Sequence, residues 1–356
     1  MNHSAYPDSL LSALLRGEHP GRDGWRALLL VNDKAWWQQV CQEALQLTLR
    51  QFGAGVYVRG LVEISSYCRN NCYYCGIRHA NRHASRYRLS TAQVLDCCRE
   101  GDALGFRTFV LQGGEDEVQD DGWIADTVAA IRAAYPHHAI TLSVGERPYE
   151  AYARFRQAGA NRYLLRHETR NDAHYARLHP RTMSAAARRD CLFQLRELGY
   201  QVGAGMMIGS PYQTLDHLLD DIAFLEELQP HMIGMGPFVP AAYTPFAQMP
   251  CGSVELTVRL VALMRLRFVR VLLPATTALA TLSPEGRELA LMAGANVVMP
   301  NLSPAYARGK YTLYDGKAAS GAEAAQGLAQ LAQRLQRIGR HIDLGRGDWQ
   351  AMPSPD

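Results

Sequence analysis

The sequence lacks any uninterrupted apolar run near the roughly 18 residues that a membrane-spanning helix requires, and it opens without a basic-then-apolar signal segment. Both absences lead to the expectation of a soluble, cytoplasmic protein. An excess of one charge sign is also missing: 37 Lys and Arg face 34 Asp and Glu, a formal +3, with the arginines spread along the chain. That balance argues for neither nucleic acid nor an anionic membrane as partner. Cysteine is too sparse for a disulfide scaffold, with eight unevenly spaced residues in 356, and suits a reducing compartment. No low-complexity linker divides the chain. What is present is enough apolar residue, 47%, for one large α/β domain or two ordinary ones.

Short β-branched or apolar runs alternate with longer amphipathic stretches, the pattern of βα units on a parallel sheet. Strands are expected at 61–65, 107–112, 139–144, 162–166, 201–208, 232–235, 271–275 and 296–299. Eight such strands close a (βα)8 TIM barrel. Helices fall between them: "STAQVLDCCREGDALG" offers Ser90 or Thr91 as N-cap and Gly105 as a stop. "SAAARRDCLFQLRELG" and "TLDHLLDDIAFLEEL" repeat that logic, and Leu215, Leu218, Leu219, Ile222 and Leu225 keep helical spacing as core. The expected organisation is an N-terminal helical extension over 1–50, a barrel over 51–317, and a C-terminal helix from 318 to 338 with a loose tail to 356.

The chemistry concentrates in "YCRNNCYYCG", where Cys68, Cys72 and Cys75 fall on the loop after the first strand, at the face where barrels carry active sites. Thiolates bind zinc or iron–sulfur clusters. A structural zinc needs four ligands, and His79 would complete a Cys3His set in a non-enzymatic scaffold. An iron–sulfur cube held by three cysteines instead keeps one iron open. Other strand ends supply further polar groups. Gly113 and Gly114 in "LQGGEDE" permit close backbone approach, and Glu115 adds a carboxylate, although a plain strand-to-helix turn reads the same way. "RYLLRHET" places Arg166, His167, Glu168 and Thr169 at the barrel mouth, where a rim salt bridge is the bland alternative.

The cysteine spacing, with Tyr74 before the last cysteine, resembles the radical S-adenosylmethionine (SAM) superfamily. That resemblance implies one 4Fe-4S cluster on Cys68, Cys72 and Cys75, whose open iron chelates SAM and whose electron splits it to methionine and a 5'-deoxyadenosyl radical. It further implies Tyr74 and Met207 beside the adenine, Gly113, Gly114 and Glu115 near the methionine amino group, Glu168 at the ribose hydroxyls and Arg188 on the methionine carboxylate. "YCRNNCYYCG", "LQGGED", "RYLLRHET", "GAGMMIGSP", "GPFVP", "LLPATTAL" and "GANVVMPNLSP" together resemble the HydE family of FeFe-hydrogenase maturation enzymes, over roughly residues 35 to 317.

This narrower resemblance implies a role in assembling the diiron subcluster with the partner maturases HydG and HydF, fed by a reductant such as ferredoxin or flavodoxin. The implied substrate is sulfur-bearing, a cysteine-ligated iron dicarbonyl cyanide unit. Gln112, Arg166, Thr276, Thr277, Met299 and Tyr311 are the implied substrate contacts; on residues alone, "ATTAL" also reads as strand and turn, Met299 as core and Tyr311 as rim packing. A biotin-synthase-like enzyme, such as the amino-acid mutase of pyrrolysine biosynthesis, shares the barrel and cysteine loop, but "RYLLRHET" with "PATTA" favours the HydE family. Three departures stand out. No cysteine follows Cys251, so a single cluster is expected; Gly113 stands where relatives often have serine; and "GSPYQT" puts Tyr212 where the family has glycine. The other cysteines, Cys41, Cys97, Cys98, Cys191 and Cys251, are expected to be reduced packing residues.

Overall fold

The computed structural model describes residues 5–317 and 323–350. Its strands are β1 (Gly55–Val58), β2 (Gly60–Ser65), β3 (Thr108–Gly113), β4 (Ala139–Ser143), β5 (Arg162–Leu164), β6 (Gln201–Ile208), β7 (Met232–Pro237), β8 (Val297–Val298) and β9 (His341–Asp343). From β2 to β7 they form a parallel sheet in sequence order. Helices cover it, each started where the chain provides a side-chain acceptor: Ser90 and Gln93 form a capping box, and Thr214 and His217 form another. Leu218, Leu219, Ile222 and Leu225 are buried on the second of these helices.

The wall closes irregularly. The expected seventh strand, 271–275, makes only single bridges, Met232 to Leu272 and Pro274 to Val297, because Pro274 has no amide hydrogen to continue a ladder. The eighth shrinks to β8, two residues before Pro300. Closure survives through Ile233 N–H to Leu272 O (3.0 Å), Ala275 N–H to Val297 O (2.9 Å) and Leu61 N–H to Pro300 O (2.9 Å). The fourth strand stops at Leu164, which places Arg166 on the loop beyond it.

Three features differ from the sequence expectation at the bottom of the barrel. β1 precedes β2 and pairs with β8. The segment expected as a loose tail is ordered instead, with β9 pairing in parallel with β1. The closing helix runs Leu328–Arg337, after a 3-10 turn at Ala325–Gly327; its expected first residues, 318–322, lie outside the described residues. After β9 the chain crosses the N-terminal ends of the strands. Arg162, with a side chain 4% exposed, donates to Asp348 at 2.6 Å and to Arg346 O at 2.8 Å, while Trp349 meets His231 edge-on. The tail therefore plugs the bottom, and the top is left for the site.

The N-terminal helices, Ala5–Leu15, Gly21–Leu29 and Lys34–Phe52, pack outside the barrel, and Trp36 and Trp37 anchor the third. Breaking a buried ion pair costs about 3–5 kcal/mol. Asp348 is a third exposed, and Arg162 keeps a carbonyl partner. Asp348→Ala is therefore expected to lower stability by about 2 kcal/mol, as measured by urea unfolding, and a change below about 0.5 kcal/mol would show that the plug does not depend on this pair.

Candidate functional site

The loop from Ser66 to Arg86 contains almost no regular structure, so its shape must come from specific bonds. Arg86 supplies several. Its guanidinium donates to the carbonyls of Ser66, Ile77 (2.8 Å), Arg78 (2.7 Å) and Asn81 (3.3 Å). Asn81 adds a bond to Gly76 O at 2.7 Å. On the outer side Tyr73 N–H reaches Leu178 O at 2.9 Å, and Gly76 N–H reaches Leu313 O at 2.8 Å. This folding turns Cys68, Cys72 and Cys75 toward a cavity of about 350 Å³ at the top of the barrel.

All three thiols are free. Burial raises each: Cys75 is pushed up to about 12, with Cys68 adding to it, Cys72 goes well above the ordinary thiol value, and Cys68 rises too. They would stay protonated without a metal's positive charge to hold them as thiolates. Among the described residues, no three His, Cys, Asp or Glu side chains gather as a single ion requires. His79 is exposed and does not line the cavity. The Cys3His set that the spacing allows is not assembled, and three soft donors set wider than one ion fit a polynuclear cluster.

The remaining candidates converge on the same space. Gln112, Gly113, Gly114 and Glu115 leave the end of β3, Arg166 and Glu168 follow β5, and Met207 closes β6. Arg188 comes from the helix Ala185–Glu197, and Thr276 caps the short helix Thr277–Leu282. With Tyr74, Met299 and Tyr311, every residue named from the sequence lines this cavity.

Close approach explains Gly114: a Cβ there would meet Tyr67 O at 2.1 Å and Cys68 Cβ at 2.7 Å. Glu115 is buried and paired with Arg69 at 3.0 Å, and it also accepts from Glu146 N–H at 2.9 Å. Glu168 sits at φ 65, a conformation that costs a non-glycine residue about 1–3 kcal/mol and marks functional positions. Its amide is held by Gly205 O at 3.1 Å, and its carboxylate accepts from Arg166 at 2.9 Å. Tyr74 donates its hydroxyl to His179 Nε2 at 3.0 Å, since His179 Nδ1–H is used by Tyr175 O and burial holds the ring neutral, near 3.

Several polar atoms at the cavity lack partners. Arg188 lies 2.8 Å from Glu146 as an ion pair, but its Nε and Nη1 have no hydrogen-bond acceptor, and neither do Arg166 Nε and Thr276 Oγ1. Buried donors left this way point to a polar, anionic ligand.

The sequence reading missed one buried network. Glu63, on β2, is fully buried, accepts from Asn301 at 2.8 Å and pairs with Lys317. Lys317 Nζ also donates to Tyr311 O at 3.0 Å. A lone glutamate inside an apolar strand was the available signal, because a buried carboxylate requires a partner. Tyr212 keeps φ 68, the conformation glycine would take, with Arg177 stacked on its ring at 3.3 Å. The turn keeps its shape despite the substitution.

With this geometry in place, the sequence pattern of the Radical SAM superfamily matches residues 62–225. The FeFe-hydrogenase maturase subunit HydE of Thermotoga maritima is 42% identical over 83% of this chain and 84% of its own. The 3-methylornithine synthase of Methanosarcina acetivorans is 25% identical over 80% of each chain. Among solved structures, methylornithine synthase (PylB) superposes with a TM-score of 0.82 at 23% identity, covering 94% of this chain and 97% of its own. Among the described residues no helix is long and apolar enough to cross a membrane.

Gly114→Ala forces a methyl group into backbone and is expected to displace the cysteine loop. Iron bound after anaerobic loading should fall to less than half that of the unchanged protein, with far-ultraviolet circular dichroism unaltered. Full iron loading would show that the loop does not depend on this contact.

Proposed function

The chain belongs to the radical SAM superfamily and, within it, to the HydE family of FeFe-hydrogenase maturases, and from that membership we propose that it acts on a sulfur-bearing, cysteine-ligated iron dicarbonyl cyanide substrate in building the diiron subcluster. HydG and HydF are its proposed co-workers. When bound, a 4Fe-4S cluster supplies one electron to the sulfonium of SAM, whose C–S bond breaks to give methionine and a 5'-deoxyadenosyl radical.

The chain's residues divide the remaining work. Cys68, Cys72 and Cys75 hold three irons and leave the fourth for the amino and carboxylate groups of SAM. Arg188 offers its unpartnered Nε and Nη1 to that carboxylate, in an arrangement suited to bidentate contact. The backbone at Gly113 and Gly114 receives the amino end beside Glu115, Glu168 accepts from the ribose hydroxyls, and Tyr74 and Met207 flank the adenine. These groups come from the first, second, fourth and fifth barrel positions. The substrate set of Thr276, Thr277, Met299 and Tyr311 comes from the far arc, joined by Gln112 and Arg166.

The observation that carries the reading is the pair of unpartnered donors on the two arcs, Arg188 on one and Thr276 Oγ1 on the other, with Arg166 Nε between them. Two anionic ligands, one per arc, answer them. Met299 gives the second ligand a soft wall, while the barrel excludes water from a reactive radical. The 42% identity to HydE, against 25% to 3-methylornithine synthase, favours the maturase over the mutase.

Iron-loaded, reduced protein is expected to convert SAM to 5'-deoxyadenosine, and Cys75→Ala to lose cluster and product together. Arg188→Ala should weaken SAM binding about 30-fold, the loss of roughly 2 kcal/mol for a charged hydrogen-bonding pair. For the substrate, hydrogenase matured with the other two maturases alone should be inactive and regain activity when this protein is added. SAM cleavage without any such rescue would reject the maturase role while keeping the radical chemistry.

A further inference from the structure

The modest net charge of this chain conceals a sharp segregation. Residues 64–95 contain no Asp or Glu but five arginines, and residues 173–189 contain no acid but four. In sequence the two stretches are nearly eighty residues apart. The fold brings them edge to edge above the cysteines, through the Tyr73–Leu178 backbone bond and a 3.8 Å contact between Cys72 Sγ and Met183 Sδ.

Some of this charge is already used. Arg86 braces the loop, Arg188 faces the cavity, Arg69 and Arg88 neutralise the buried Glu115 and Asp116, and Arg189 pairs with Asp172. Arg78, Arg82, Arg177 and Arg181 have no carboxylate partner among the described residues, and the last three are exposed. Beside them on the neighbouring β3 loop, Glu117 is the exposed acid.

Aromatic rings join the two basic stretches. Arg78 lies over Tyr73 at 5.9 Å, Tyr73 meets Phe246 at 6.0 Å, Phe246 meets Tyr212 at 6.1 Å, and Arg177 stacks on Tyr212. Arginine and tyrosine around a small apolar centre form the composition of protein interfaces. Beneath the patch, Phe246 belongs to a cluster with Leu178, Met207 and Phe238, against which Tyr73 and Tyr74 pack. Met207, Phe238 and Tyr74 also line the cavity, so an apolar path about two side chains thick separates the patch from the thiols.

We propose that this face docks a small acidic one-electron carrier protein, of flavin or iron–sulfur type, whose charge complements the unpaired guanidiniums. The inference rests on the radical SAM reading, which requires an electron at this loop. The carrier is oxidised by one electron, and the cluster held by Cys68, Cys72 and Cys75 is reduced by one. The carrier's location and charge are what the face adds. Charge complementarity of this kind governs encounter rate and its salt dependence more than final affinity.

The test uses iron-loaded protein, SAM, and either dithionite or an enzymatically reduced flavodoxin as electron source. In the variant combining Arg82→Glu, Arg177→Glu and Arg181→Glu, dithionite-driven 5'-deoxyadenosine formation should stay within twofold of the unchanged protein, while the flavodoxin-driven rate falls at least tenfold. For the unchanged protein, raising salt from 50 to 300 mM should slow only the flavodoxin-driven reaction. Equal losses with both donors, or a flavodoxin rate indifferent to charge and salt, would overturn the proposal. Retained flavodoxin reduction with lost hydrogenase maturation would also overturn it and assign the face to an acidic assembly partner. Failure of the unchanged protein to make 5'-deoxyadenosine with dithionite would reject the radical reading itself.

Discussion

One guanidinium sets the conditions for everything above the barrel. The cysteine loop carries its own donors and acceptors but no ladder to satisfy them, and an irregular segment of this length is normally mobile. Arg86 reaches carbonyls on both limbs of the loop, from Ser66 to Asn81, and converts it into a rigid cup. Lysine would not substitute well, because a point charge lacks the planar fork that spans two limbs at once. With the loop fixed, the thiols face inward, the backbone of Tyr67 lies against Gly114, and Leu178 and Leu313 find their partners on its rim.

Rigidity there permits strain elsewhere. Glu168 in a left-handed conformation and the unpartnered atoms of Arg188, Arg166 and Thr276 are each unfavourable in the free protein. Such costs persist only where surrounding structure over-determines the geometry, and the barrel wall does so here: Gly205 O holds the Glu168 amide, while Glu146 neutralises Arg188 without saturating it. The site is thus preorganised for ligands that complete its hydrogen bonds, and little rearrangement is needed on binding.

What was legible in the sequence follows from how local each signal is. The three cysteines, Tyr74, and the strand-end residues from Gln112 to Met299 sit where a strand ends and a loop begins, so alternation of apolar and amphipathic runs located them. The barrel's regular strands were equally readable. Its irregular closure was not, because Pro274 and Pro300 interrupt a ladder without changing the apolar pattern around them. β9 and the plug were hidden for a different reason: Arg162 and Asp348 are almost two hundred residues apart, and a polar tail gives no periodic sign that it will cover a barrel end. The Glu63–Lys317 pair escaped likewise. Gly113 and Tyr212 stand apart as departures whose consequences only the backbone reveals; Tyr212 takes the glycine conformation outright.

Charge gives the clearest case of a quantity that composition averages away. A near-neutral total correctly argued against nucleic acid as a partner, yet it said nothing about where the charges lie. Two acid-free stretches spread their arginines along the sequence, and only the βα succession, which returns every strand end to the same face, stacks them above the cysteines. Some of those cations are consumed in holding the loop and neutralising Glu115 and Asp116, as a loop lacking secondary structure demands. The remainder cannot be explained by stability, since exposed, unpaired guanidiniums repel one another and gain nothing from the fold. A surplus that costs the folded state and concentrates at the one place where an electron must enter has its physical rationale in a partner that carries the opposite charge.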